Sequence, residues 1–141
     1  MAVQTESFGV PWEHDYGYVQ AVRRGDTIYL SGQLSHDGAE FVAPAPVGAD
    51  GVVTDFSATA DQWRRTYVNA EELLKRFGAT LDDVVEEVVY VLDVDTAMSV
   101  AGEVRKAAYR RGDPQVASTI LGVTRLALPQ QLIEVKFVAR V

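Results

Sequence analysis

At 141 residues, 48% hydrophobic and 23% charged, the chain has the size and composition of one globular domain, expected to span residues 1–141. A formal charge of −7 sets its surface against phosphate backbones, so no nucleic-acid partner is expected. The lack of cysteine removes disulfides, thiolate metal sites and cysteine nucleophiles together.

The N-terminal stretch MAVQTESFGVPWEHD has neither a basic region nor a long apolar run, which argues against a secretory signal. No later segment is apolar enough to span a bilayer, so no membrane partner is expected and the anticipated location is cytoplasmic. Tyr18 to Arg23 and Thr27 to Ser35 read as two strands joined by a turn at Arg24-Gly25-Asp26. APAPVGADG, 43–51, is a surface loop. Phe56, Ala60, Trp63, Tyr67, Ala70, Leu74 and Phe77 then recur at steps of three and four. This predicts a core-facing helix over about 57–77, capped by Asp55 or Ser57 and closed by Gly78. Val84 to Val94 is β-branched and reads as a strand, with Glu86 and Glu87 as solvated edge charges. A second helix is predicted over about 97–110, capped by Asp95 or Thr96. Ala117 to Leu126 and Leu132 to Val141 are two further strands joined through Pro129. The order β-β-α-β-α-β-β specifies an α+β fold, a mixed sheet with two helices on one face.

Val88, Tyr90 and Leu92 alternate with Val89 and Val91, so both faces of that strand are apolar. Two helices cover only one side of a sheet, and the simplest cover for the other is a second copy of the chain. A different feature marks DTIYLSGQLSHD, 26–37, where an apolar run ends in Ser31-Gly32-Gln33 and reaches His36. Glycine weakens a strand interior, and it is useful where a ligand or another backbone must come close.

These elements, with four short motifs in order, resemble the Rid (reactive intermediate deaminase) family, also called YjgF/UK114-like. GYVQAVRRGDTIYLSGQ, 17–33, is similar to that family's PYSQAV…G…YLSGQ opening, and Asn69 stands where its first helix carries an Asn. VVYVLDVDT, 88–96, and VTRLALPQQLIEVKFVA, 123–139, match its later motifs, so the likeness runs from about Tyr16 to Ala139. The resemblance implies a chorismate-mutase-like trimer with ligand clefts between subunits. It also implies hydrolysis of imines and enamines to a carbonyl and ammonia, without cofactor or metal. The family's site residues correspond to Tyr18, Ser31, Gly32, Thr119 and Glu134. Its substrate-gripping arginine does not: Ala117 stands there, in a Pro114-Gln115-Val116-Ala117-Ser118-Thr119 stretch, as in a branch of the family without that arginine.

Imine hydrolysis needs a positioned water, a proton for nitrogen and stabilisation of a tetrahedral intermediate. Glu134 is the candidate acid/base and Tyr18 a partner in catalysis. Ser31, Gly32, Ala117, Thr119 and His36 are candidates for the substrate cleft. His14 is a further candidate, since a histidine near the cleft can exchange protons at neutral pH. Each residue also has a plain structural explanation. Gly32 can mark a β-bulge and Glu134 can point to solvent by alternation. Tyr18, Ser31 and Thr119 are ordinary strand residues, and either histidine can be a loop residue. The two histidines have no ligand spacing, so no metal site is expected. The functional alternatives are a cofactor-independent hydrolase acting on a small reactive imine, and a small-molecule-binding homologue that has lost the chemistry.

Overall fold

Alternation of period two and a stripe of period near 3.6 build the two layers of the fold. The structure, a computed structural model, describes residues 2–141. In chain order the elements are β1 (Val3–Glu6), α1 (Pro11–Tyr16), β2 (Ala21–Arg24), β3 (Thr27–Gln33), β4 (His36–Asp37), β5 (Glu40–Phe41) and α2 (Thr59–Lys75). A single 3₁₀ turn (Leu81–Asp83) then leads into β6 (Val84–Val91), α3 (Val94–Tyr109), β7 (Ala117–Gly122) and β8 (Ile133–Arg140). Six strands form one sheet in the order β1-β2-β3-β8-β6-β7, antiparallel except for the β6–β7 pair. The expected β-β-α-β-α-β-β order is present, with β1, α1 and the small β4–β5 hairpin added to it.

One face of the sheet carries Ile28 and Leu30 of β3, Val89 and Val91 of β6, and Ile133, Val135, Phe137 and Ala139 of β8. Against it lies the apolar stripe of α2, of which Trp63, Tyr67, Ala70 and Leu74 are buried, with α3 alongside over β7. A second buried stripe runs beside the first on α2: Thr59, Gln62, Thr66, Asn69 and Leu73. Among the described residues, α2 and α3 leave the opposite face of the sheet uncovered. Tyr29 is 48% exposed there and Leu121 44%, with Val88, Tyr90 and Val138 partly exposed between them.

Several expected boundaries move, each for a local reason. Asp93, rather than Asp95 or Thr96, caps α3 by accepting from Thr96 N at 3.0 Å, which ends β6 three residues earlier than predicted. Asp55 accepts from Ser57 N at 2.8 Å in a turn before α2, whose actual N-cap, Ala58, has no side-chain bond. Gly78, at φ 75°, closes the C-terminal end as expected. The first hairpin strand begins at Ala21 rather than Tyr18, because the chain is still leaving α1 through Gly17 at φ 75°.

The expectation for Glu86 and Glu87 is corrected. Glu86 is exposed, but Glu87 is 0% exposed and faces the helices. Its Oε1 accepts from the Tyr67 and Tyr109 hydroxyls at 2.8 and 2.9 Å. Its Oε2 accepts from Ser118 Oγ at 3.1 Å and pairs with Arg105 at 3.3 Å. A charge buried among this many donors is fully satisfied, and one carboxylate thereby ties α2, α3, β6 and β7 together.

Candidate functional site

Between Leu30 and Gln33 the pairing of β3 with β8 slips by one residue: Leu30 opposes Phe137 and Gln33 opposes Val135. Ser31 and Gly32 occupy this bulge, an irregularity of the kind that bends a strand locally. The glycine is also a matter of space. A Cβ on Gly32 would lie 2.4 Å from Glu134 Oε2, so only a hydrogen there admits the carboxylate. Gly32 thus lies in a bulge, and the group close to it is a side-chain carboxylate rather than another backbone.

Glu134 is half-buried on β8, in register with Tyr90 of β6. Gln131 Nε2 donates to its Oε1 at 3.4 Å, a weak bond, and burial pushes the carboxyl above the usual carboxylate range. Beside it opens a cavity of about 570 Å³ that gathers Tyr18, Ser31, Gly32, His36 and Glu134. Trp12, Leu34, Phe41 and Leu128 supply apolar walls. Burial, with the nearby carboxylates of Glu13 and Glu134, pushes the Tyr18 hydroxyl up, so it stays a donor at neutral pH. Ser31 Oγ donates to Val19 O at 2.7 Å, which leaves its lone pairs as acceptors.

His36 is 3% exposed and packs edge-on against Phe8 and Trp12, with ring centroids 5.2 Å away in each case. Its Nδ1 lies 2.9 Å from Gly38 O and so carries the proton, leaving Nε2 as the acceptor. Burial pushes its pKa down, and the ring is neutral at pH 7.

The polar stripe of α2 positions the cavity walls. Asn69 Nδ2 donates to Leu34 O and His36 O, both at 2.9 Å, and Arg65 Nε adds a bond to His36 O at 3.0 Å. Gln62 Nε2 donates to Ala43 O at 2.9 Å and Gln130 O at 3.0 Å, while its Oε1 accepts from Leu132 N at 2.8 Å. These bonds fix the segments on either side of the cavity to one rigid helix. Glu13, buried at the other rim, accepts from Phe8 N and Gly9 N at 2.9 Å each and holds α1, with Trp12, in place.

The remaining candidates lie elsewhere in the chain. Ala117 and Thr119 are exposed on edge strand β7, on the uncovered face, with β6 between them and β8. Strand spacing and rise put Ala117 on the order of 15 Å from Glu134 within one chain. His14 is exposed on α1 and does not line the cavity, unlike its neighbours Trp12 and Asp15. Sequence reasoning passed over Gln62 and Leu128. The signal for Gln62 was the set of uncharged polar residues at helical spacing beside the apolar stripe of α2. Among the described residues, no group of three or more histidine, aspartate or glutamate side chains is placed to hold a metal ion.

Residues 13–141 match the family model described as endoribonuclease L-PSP. Among solved structures, the chain is similar to Rv2704 of Mycobacterium tuberculosis, a member of the YjgF/YER057c/UK114 family: 28% identity, TM-score 0.78, covering 99% of this chain and 100% of that one. It is similar to RidA from an Antarctic Psychrobacter, at 25% identity and TM-score 0.72, covering 100% and 99%. A Rid-family protein of Yersinia pestis, at 18% identity and TM-score 0.76 over 99% and 100%, shares the fold. No curated protein matches the sequence.

Proposed function

The chain belongs to the Rid (YjgF/UK114) family, and from that membership we propose that it is a cofactor-independent hydrolase acting on a small imine, enamine or related reactive intermediate. The observation that carries this reading is Glu134, a carboxyl raised by burial and facing a cavity shared with Tyr18 and His36. A carboxyl whose pKa moves toward neutrality is suited to both halves of a proton-transfer cycle.

In this reading Glu134 protonates the imine nitrogen. Water, oriented by His36 Nε2, adds to the imine carbon and gives its proton back to Glu134. The same carboxyl passes that proton to nitrogen. The C–N bond then breaks, ammonia leaves, and the hydroxyl proton returns to Glu134 as the carbonyl forms. Tyr18 donates to the substrate, and the backbone at Ser31-Gly32 forms the cleft floor.

The uncovered sheet face supports a homotrimer with its clefts between subunits, in which the β7 residues Ala117 and Thr119 of one copy border the cavity of another. A second reading, a binding protein without catalysis, is favoured by Ala117, which offers no guanidinium to a substrate. Cleavage of RNA is poorly supported, because the described cavity lining includes Asp15 and Glu134 but no lysine or arginine.

The test is hydrolysis of a panel of small imines generated in situ. Glu134→Gln should lower kcat by about 10²-fold or more while keeping the fold, the range expected for a lost general acid–base. Saturable binding with no turnover in the wild type would move the assignment to the binding protein.

A further inference from the structure

The lining of the cavity, taken as the ligand site of the reading above, also specifies the charge and polarity of what it holds. Trp12, Tyr18, Leu34, Phe41 and Leu128 make most of its wall apolar or aromatic. None of its described ionisable groups is a lysine or arginine: Asp15 and Glu134 are carboxyls, Tyr16 and Tyr18 are phenols, and His36 is neutral with Nδ1 committed to Gly38 O. The arginine bonded to this segment, Arg65, is already engaged by His36 O and, at 3.7 Å, by Asp37. A carboxylate entering this space would lose its water, meet no lysine or arginine among the described lining residues and lie beside Glu134. A protonated imine or amine meets the opposite situation. Glu134 stands in the lining to meet its charge, and the aromatic side chains of Trp12 and Tyr18 share that lining.

We propose that the cavity selects a hydrophobic, preferably aromatic, imine that carries positive charge when protonated and bears no carboxylate. Such a substrate comes from oxidation or condensation of a simple amine rather than of an amino acid.

Phenethylamine and phenylalanine differ only by the carboxylate, and they serve as a matched pair of stable probes. Isothermal titration at pH 7 should show phenethylamine binding at least about tenfold more tightly, a difference of about 1.4 kcal/mol. Glu134→Gln should erase most of that preference. Equal or tighter binding of phenylalanine, or no binding of either probe, overturns the proposal. Turnover is read separately, on the imines made from the same two compounds by an amine oxidase and an amino-acid oxidase. Faster loss of the carboxylate-free imine supports both readings. Preferential binding of phenethylamine without hydrolysis keeps the proposed selectivity and removes the hydrolase assignment. Preferential hydrolysis of the phenylalanine imine does the reverse.

Discussion

A hydrogen atom at Gly32 allows Glu134 to lie where it does, and this exchange of a side chain for a carboxylate has an energetic signature. Gly32 has no positive φ, so alanine fits its backbone, and alanine in a strand is favoured over glycine by about 0.5–1 kcal/mol. The obstacle is the carboxylate at 2.4 Å, the movable end of a flexible side chain. In Gly32→Ala, Glu134 therefore swings out into water and the fold persists. In the wild type the folded-state pKa of Glu134 is raised above its ordinary 4.5, so its ionised form opposes folding. Its favourable contribution is present below pH 4.5 and is lost as pH rises through the raised value. Gly32→Ala should thus match or exceed wild-type stability at pH 7, by up to about 1 kcal/mol, with the gap narrowing below pH 4.5. Imine hydrolysis should fall by about 10²-fold in the same variant. Denaturant titrations at the two pH values and one rate measurement check this. Destabilisation at pH 7 by several kcal/mol would mean the carboxylate cannot move, and the spatial account would fail.

Among the elements, the most consequential contact is one that alternation could have exposed. Val89 and Val91 face the core, and a strand places Glu87 on the same side; two adjacent glutamates cannot both face water when one sheet face is covered. Reading Glu86 and Glu87 as one solvated pair missed this. Its partners Tyr67, Arg105, Tyr109 and Ser118 come from three other elements, and sequence distance does not reveal that convergence. The apolar stripe of α2, the β-branched run of β6 and the hairpin β2–β3 were legible because each is a local periodicity. β1 and α1 were not: β1 is four residues, exposed over most of its length, and α1 is a six-residue helix held by Glu13, so neither has a periodic signature. At the site, Gly32 and Glu134 were legible as motif residues, while their direct contact depended on a bulge that no spacing rule predicts. Glu87→Gln keeps the shape but removes the charge that Arg105 and two tyrosines were arranged to meet. It should destabilise the protein by about 3–5 kcal/mol, the range for breaking a buried pair. The comparison with Glu86→Gln, exposed on the same strand and expected to change stability by no more than about 0.5 kcal/mol, isolates the effect. Equal losses in the two variants would rule out the buried network as the cause.

At the scale of the whole molecule, the uncovered sheet face links the proposed assembly to the proposed function. Across it run Val22, Tyr29 and Val138 in register on β2, β3 and β8, with Val88, Tyr90 and Leu121 on the neighbouring strands. This face is rich in apolar side chains, although Lys136 stands among them in register with Val88. Large apolar patches mark interaction surfaces, and closed symmetry among identical copies is the common way to bury them. Glu134 lies on this same face, at its end, so copies packed here would also wall the cavity. Ala117 and Thr119, remote from Glu134 within one chain, are positioned on the edge strand that such packing would carry into a neighbour's cleft. The proposed trimer therefore predicts that assembly and ligand binding fail together. Tyr29→Lys is suited to test this, since the side chain is half exposed in the single chain and makes no contribution to its helix-covered core. Light scattering should give three chain masses for the wild type and one for the variant, with circular dichroism unchanged. Affinity for phenethylamine should drop by at least about tenfold in the variant, about 1.4 kcal/mol, although Tyr29 does not line the cavity. A monomeric wild type would remove the trimer, and a monomeric variant that binds as tightly as wild type would confine the site to one chain.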